Sequence, residues 1–229
     1  MVWPSTTIAS APFSSSSPTR RPSVSPFGDG RDSGGRVAAA GPMVALRETD
    51  RVATQYFTAS SVDGFIADLD HSLSWLLSRQ VDADGPMSYA RFIQSVGALA
   101  MGATTYRWVL EHDVGGDRAR PWPYEVPCWV FTHRDLPLVA GDIRFAQGPV
   151  TPTHREIVAA AADRNVWVVG GGDLAGQFAD AGLLDEVWVQ YAPVTLGSGA
   201  PLLPRRLELR LEEVARNADF ACARYSVAR

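Results

Sequence analysis

VWVVGGGDLAGQF, residues 166–178, joins a buried strand to a helix through three consecutive glycines. Four apolar residues precede Gly170, Gly171 and Gly172, and apolar residues at helical spacing follow them. A helix that begins directly after a strand presents free backbone N–H groups and the positive end of its dipole. Glycine at that point lets a ligand approach the backbone closely. The stretch therefore predicts either a phosphate-binding loop or a structural turn, and both interpretations are open at this point.

The same stretch also matches the dinucleotide-binding pattern G-x-G-x-x-A through Gly170, Gly172 and Ala175. Two observations argue against the Rossmann fold that usually carries this pattern. The motif lies near the C-terminal end of the chain, where little sequence is left for the rest of that fold. The next strand, EVWVQYA, also ends without the acidic residue that binds a ribose hydroxyl. A Rossmann enzyme is therefore disfavoured.

Composition indicates a globular protein without a basic surface. The chain has 229 residues, of which 46% are hydrophobic, and this is enough for one well-packed core. The formal net charge of −4 argues against nucleic-acid binding, and no apolar run approaches the roughly 18 residues of a membrane span. Every basic residue is arginine, which excludes a catalytic lysine. Cys128 and Cys222 lie in apolar or alternating stretches, so we expect buried free thiols and a reducing, cytoplasmic location.

The first 50 residues differ in composition from the rest of the chain. Residues 1–50 are rich in Ser, Pro, Gly and Arg and have no apolar periodicity, which predicts a disordered tail. Translation from Met43 is one alternative explanation, and an Arg- and Ser-rich targeting segment is another. We expect a single ordered domain over residues 51–229.

Strands and helices alternate along this domain. The patterns predict strands over 52–59, 97–102, 128–133, 142–147, 166–169 and 185–193, and helices over 85–96, 103–113 and 173–182. A further helix is predicted to begin at Thr153, because Thr153 and Glu156 form a capping box. Alternation on both sides of Asn217 predicts a final antiparallel hairpin. The predicted fold class is α/β, with a mixed, mostly parallel sheet closed by that hairpin.

Several motifs occur in an order that resembles the dihydrofolate-reductase-like superfamily. They are SVDGFIAD (61–68), MGATTY (101–106), VFTHR (130–134), VVGGGDLAGQF (168–178) and LLDEVWVQYAPVTLGSGAPLLP (183–204). Each motif is weak alone, but their order is specific, and it is most similar to the branch related to the reductase domain of riboflavin biosynthesis. The resemblance covers about residues 52–228 and implies a three-layer αβα fold.

This resemblance implies a reductase that transfers a hydride from a nicotinamide cofactor, usually NADPH, to a flat pyrimidine- or pterin-like heterocycle. In such a family the glycine turn binds the pyrophosphate, and Arg134 falls where the adenosine 2′-phosphate is bound. Ala59 and Ile66 would flank the nicotinamide. Relatives often form dimers, and the C-terminal hairpin is one candidate surface. The implied cofactor-binding residues are Ala59, Ile66, Gly102, Thr104, Thr105, Thr132, His133, Arg134, Gly170, Gly171, Gly172, Asp173 and Leu174.

Three departures from the family pattern leave the substrate open. Ala103 stands where relatives commonly have Arg or Lys, so the choice between NADPH and NADH is also open. Val169 stands where the riboflavin enzyme often has Glu, and no acid follows Trp75 until Asp82, where dihydrofolate reductases carry a carboxylate. The alternatives are 5-amino-6-(5-phosphoribosylamino)uracil, dihydrofolate or another pteridine, and a degenerate protein that binds a nucleotide without turnover.

Few side chains are candidates for chemistry. The proton donor is either water or a carboxylate, and the candidate acids are Asp63, in an Asp-Gly turn, and then Asp68. The alternatives are a plain turn residue and a solvated loop residue. Aromatic residues near predicted loops are candidates to stack on a heterocycle, with core packing as the alternative. They are Trp75, Trp108, Trp122 and Tyr124, and the loop 115–127 is expected to border the substrate cleft. The histidines are widely spaced, so no metal site is expected.

Overall fold

The computed structural model describes residues 52–114 and 121–228. The predicted tail, and residues 115–120 of the predicted loop, lie outside these ranges. The strands are β1 (Thr54–Ser61), β2 (Phe65–Ala67), β3 (Val96–Gly102), β4 (Cys128–Phe131), β5 (Ile143–Ala146), β6 (Asn165–Gly170), β7 (Glu186–Ala192), β8 (Ala200–Pro201), β9 (Leu209–Asn217) and β10 (Phe220–Val227). The helices are α1 (Ser74–Leu77), α2 (Tyr89–Ile93), α3 (Ala103–His112), α4 (Val150–Ala161) and α5 (Gly172–Asp180).

Eight strands form one sheet in the order β5-β4-β3-β6-β1-β7-β10-β9. The strands from β5 to β7 pair in parallel, and β10 pairs antiparallel with both β7 and β9. β2 and β8 form a separate antiparallel pair. The predicted α/β class, the mostly parallel sheet and the closing hairpin are therefore confirmed. β1 occupies a central position, between β6 and β7.

Helices cover both faces of the sheet, which gives three layers. On one face, α2 and α3 pack against an aromatic core that includes Phe57, Phe92 and Trp167. The Trp167 indole Nε1 donates a hydrogen bond to the Phe57 carbonyl oxygen at 3.0 Å, so this large side chain is buried without an unpaired donor. On the other face, α4 and α5 contribute Ile157 and Phe178 to a second core. Within the described ranges, no helix combines the length and apolar character required to cross a bilayer.

The predicted capping box at Thr153 is wrong. α4 begins at Val150, after Gly148 with φ +86° and Pro149 in an extended conformation, and Thr153 lies buried inside the helix. The turn formed by this glycine and proline makes the helix begin three residues earlier than the Thr-x-x-Glu pattern predicts. Pro152 is tolerated because it lies in the first turn, where the backbone N–H groups have no intrahelical partner.

The helix predicted over 85–96 is also shorter than expected. α2 begins at Tyr89, after Met87 with φ +53°, and the Ser88 hydroxyl caps it by accepting a hydrogen bond from the Arg91 backbone N–H. The apolar spacing in the sequence did not reveal this turn at Met87. α1, β2 and β8 were not predicted, because elements of four, three and two residues are too short to show a periodic pattern.

Candidate functional site

A cleft of about 450 Å³ opens at the carboxyl ends of the parallel strands. β3 ends in Gly102, β4 leads into Thr132 and β5 into Gln147, and all three residues line the cleft. Two further segments contribute to its walls through Ile66, Ala67, His71, Leu73, Ala200, Pro201 and Pro204. The carboxyl edge of a parallel sheet is where α/β proteins commonly bind ligands, because loops and helix N-termini converge there.

The start of α5 forms one wall, and the two glycines there, Gly171 and Gly172, have different roles. Gly170 has φ +138°, the Gly170–Gly171 peptide bond is cis, and α5 has no side-chain cap at Gly171. A Cβ atom added at Gly171 would meet nothing closer than Ile66 Cδ1 at 3.9 Å, so this position is open toward the cleft. A Cβ atom at Gly172 would lie 2.3 Å from the carbonyl oxygens of Pro201 and Leu202. Gly172 is therefore required by packing, whereas Gly171 leaves space beside the backbone.

The start of α3 forms a second wall of the same kind. Gly102 precedes this helix without a side-chain cap, and Thr104 and Thr105 in its first turn line the cleft. β3 and β6 are adjacent, with Met101 paired to Gly170, so the two helices begin side by side. Each start presents free N–H groups and a positive dipole end, and neither carries a capping carboxylate at its N-cap position. Such a pair is suited to the phosphate groups of an anionic ligand.

The cleft has few charged side chains. Among its described lining residues the ionisable ones are His71, His133 and Asp173. Asp173 accepts a hydrogen bond from Gln177 Nε2 at 2.9 Å and one from Arg205 Nη2 at 3.0 Å. The bond from Gln177, and then the bond and charge of Arg205, hold the pKa of the Asp173 carboxyl below its usual value.

Most of the cofactor-binding residues that the resemblance implies are brought together in this cleft. Those that line it are Ile66, Gly102, Thr104, Thr105, Thr132, His133, Gly171, Gly172, Asp173 and Leu174. Three others do not: Ala59 and Gly170 are buried in their strands, and Arg134 is exposed beyond the cleft wall. Arg134 follows a local turn in which its backbone N–H donates to Thr132 Oγ1 at 2.9 Å.

The structure places Asp63, the candidate proton donor, outside the cleft. Its carboxylate accepts hydrogen bonds from Ser61 Oγ at 2.6 Å and from the backbone N–H groups of Leu196 at 3.0 Å and Gly197 at 2.7 Å. The bond from Ser61 is the main reason that the pKa of Asp63 lies below its usual value. Asp63 thus clamps the loop after β7, and Asp68 also lies outside the cleft wall, where it bonds the backbone of Asp70 and Ser72.

The aromatic candidates divide between the core and the cleft. Trp75, Trp122 and Tyr124 are buried in hydrophobic clusters and do not line the cleft. The described part of loop 115–127 does not border the cleft, contrary to expectation. Trp122 and Tyr124 contact each other edge to face, with ring centroids 5.4 Å apart. Trp108 on α3 does line the cleft, where its ring stacks on His112 at 4.3 Å.

Sequence reasoning missed part of the cleft wall. His71 and Leu73 belong to the loop before α1, and no pattern in that segment indicated a site. Gln147 and Gly148 also line the cleft, and here the Gly148-Pro149 turn directly after a predicted strand was a usable signal. The described ranges contain no group of three or more His, Cys, Asp or Glu side chains arranged to bind a metal ion.

Comparison with known proteins supports the family and the fold. Residues 152–218 match the family described as the RibD C-terminal domain. The uncharacterized protein YwjB of Bacillus subtilis is 30% identical over 164 residues, which span 69% of this chain and 88% of YwjB. A protein of Shewanella sp. PV-4, provisionally assigned to riboflavin biosynthesis, is 25% identical with a TM-score of 0.65, covering 78% of this chain and 100% of its own.

A more distant structure has the same fold. It is the diaminohydroxyphosphoribosylaminopyrimidine deaminase/5-amino-6-(5-phosphoribosylamino)uracil reductase of Thermotoga maritima, with a TM-score of 0.53 and 16% identity. The match covers 78% of this chain and 57% of the Thermotoga chain, so the likeness concerns the fold of one part of that protein.

Proposed function

Because the chain belongs to the family of the RibD C-terminal domain, within the dihydrofolate-reductase-like superfamily, we propose that it is an NADPH-dependent reductase. Its proposed substrate is a pyrimidine- or pterin-like heterocycle, most similar to 5-amino-6-(5-phosphoribosylamino)uracil. The family supports a riboflavin-pathway type of reductase, and the cofactor and the substrate are the parts that we add.

One observation carries the proposal: two uncapped helix starts lie side by side at one cleft. The backbone at Gly171 faces a cleft of about 450 Å³, and no side chain at this position stands between that backbone and a bound pyrophosphate. The free N–H groups of α5 and α3 would bind the phosphate oxygens from two sides. Thr132 and His133, at the end of β4, would bind the adenosine part.

The remaining roles concern placement and exclusion of water. When bound, NADPH supplies a hydride, and the protein must hold its nicotinamide against the acceptor in a site with little water. Ile66 and Leu73 are buried apolar residues on the cleft wall, suited to excluding water from that contact, and Trp108 offers a face for a flat ring. Asp173 is the only carboxylate in the described cleft wall, and Gln177 and Arg205 already bond it. We therefore propose that water supplies the proton.

Fluorescence titration with NADPH and with NADH tests the cofactor part of the proposal. Binding of NADPH in the micromolar range supports it, and absence of binding by both nucleotides contradicts it. Consumption of NADPH is then followed with the riboflavin-pathway pyrimidine and, separately, with dihydrofolate. Turnover of one of them identifies the substrate class, whereas binding without turnover of either favours the alternative of a nucleotide-binding protein that has lost its activity.

A further inference from the structure

A carboxylate lies where the proposed function requires a phosphate site. Asp173 is in the first turn of α5 and lines the cleft, and the described cleft wall contains no arginine. Ala103, at the start of α3, also lines the cleft and adds no positive charge to it. A dinucleotide brings a diphosphate with two negative charges to this wall. An unopposed carboxylate would repel it across the few ångströms that separate neighbouring groups in a binding site.

Arg205 is fixed along the outer side of the same helix. Its Nη2 lies 3.0 Å from Asp173 Oδ1 and its Nε lies 2.8 Å from Asp180 Oδ2. Between them, a Cβ added at Gly176 would lie 2.8 Å from Arg205 Cγ, so the alkyl chain rests on the helix backbone. These three α5 residues are spaced so that they share one helix face. The Arg205 side chain is 29% exposed, against 93% for its neighbour Arg206, which bonds no residue of α5 in the described structure.

We propose that Arg205 is a positioning residue that neutralises Asp173 and thereby makes the start of α5 compatible with the diphosphate of a dinucleotide. This inference rests on the proposed function. Arg205 acts through the carboxylate rather than by contact with the ligand, since it lies outside the cleft wall. Asp180 anchors the guanidinium at the far end of the helix, and Gly176 leaves room for its alkyl chain.

A double-mutant cycle tests this assignment, with NADPH as the probe and the dissociation constant as the readout. Arg205→Gln leaves Asp173 charged, so we expect NADPH binding to weaken about fivefold at low salt. Asp173→Asn should tighten binding, because it removes the carboxylate and leaves the arginine. In the double variant, Asp173→Asn should restore binding to within about twofold of the unchanged protein.

A matched control separates charge from folding. Arg206→Gln removes a neighbouring arginine that pairs with Glu208 and bonds no residue of α5 in the described structure, so it should leave NADPH binding unchanged. Thermal unfolding of every variant shows whether it is folded at the titration temperature. If the wild-type protein binds NADPH, two outcomes overturn the inference. In one, Arg205→Gln binds NADPH as tightly as wild type; in the other, the double variant binds it no better than Arg205→Gln alone. If the unchanged protein does not bind NADPH, the proposed function fails as well, which is a distinguishable result.

Discussion

The starts of α3 and α5 look alike in sequence and differ in what surrounds them. Both follow a parallel strand, both have glycine at the N-cap, and both line the cleft. At the start of α5, the carbonyl oxygens of Pro201 and Leu202 leave no room for a side chain at Gly172, the residue after the N-cap. At α3, a Cβ added at Gly102 would meet nothing closer than the Gly170 carbonyl oxygen at 3.7 Å.

A glycine in such a motif is required either by packing or by ligand binding, and the sequence motif does not distinguish these two reasons. At Gly172 the reason is contact with a neighbouring segment, so the cost of a larger residue should appear in the stability of the fold. At Gly171 and Gly102 the backbone angles suit any residue and the space is open, so the cost should appear in ligand binding. The following substitutions test that separation.

The largest effect is expected at Gly172. Gly172→Ala places a methyl group 2.3 Å from two carbonyl oxygens, and we expect the free energy of unfolding to fall by about 3 kcal/mol. Gly102→Ala, at the N-cap of the other helix, meets no close atom, and it should lower this free energy by no more than about 1 kcal/mol. Urea denaturation measures both. Equal losses in the two variants would remove the distinction between the helix starts.

The second effect concerns ligand binding without loss of folding. Gly171→Val fits the local backbone, with φ −77°, but its side chain would fill the space beside the backbone. We expect NADPH binding to weaken by at least about tenfold, while the free energy of unfolding changes little. Fluorescence titration and denaturation on the same sample separate these readouts. Undiminished binding would exclude the glycine turn from the cofactor site.

A smaller effect is expected when charge is added to the start of α3. Ala103→Arg adds a positive charge to the first turn of α3, at a position that lines the cleft. We expect NADPH to bind about threefold more tightly at low salt, with the gain disappearing as salt increases. Titrations at several salt concentrations measure this. A gain that persists at high salt would point to a non-electrostatic cause.

The smallest effect concerns the loop between β7 and Pro201, the residue that packs against the start of α5. Asp63 clamps Leu196 and Gly197, a few residues before Pro201. The pKa of Asp63 is lowered in the fold, chiefly by Ser61, so its contribution to stability is present above the unfolded pKa of about 3.9 and is lost as pH falls through the lower folded value. Asp63→Asn should therefore flatten the acid side of the stability profile below about pH 4. An unchanged acid limb would contradict this role.

Sequence predicted the fold better than it predicted the site. The glycine turn, the strands around it and the hairpin at Asn217 follow from local periodicity and turn residues, and the structure confirms them. Thr153 shows the limit of local rules. The capping pattern there predicts a helix start, but α4 already begins at Val150, directly after the turn at Gly148 and Pro149.

The cleft depends on segments that are distant in the sequence. His71 and Pro201 both line it, and β2, just before His71, pairs with β8, which contains Pro201. No local pattern predicts that pairing. The same limit applies to aromatic residues: Trp108 lines the cleft and Trp122 packs in the core, although both lie near predicted loops. No sequence motif includes Arg205, and its ion pair with Asp173 could not be predicted because it depends on how residues 202–205 pack against α5.

The central position of β1 has a consequence for how the protein folds. β1 is the first strand of the domain, yet its neighbours β6 and β7 come late, with Thr54 paired to Val166 and Gln55 to Glu186. These pairings require closure of loops longer than a hundred residues, which slows folding and favours late assembly. During synthesis on the ribosome, β1 has no partner strand until β6 and β7 have been made. The buried strand is then exposed to wrong associations, so we expect efficient production to depend on chaperones more than for a helical protein of equal size.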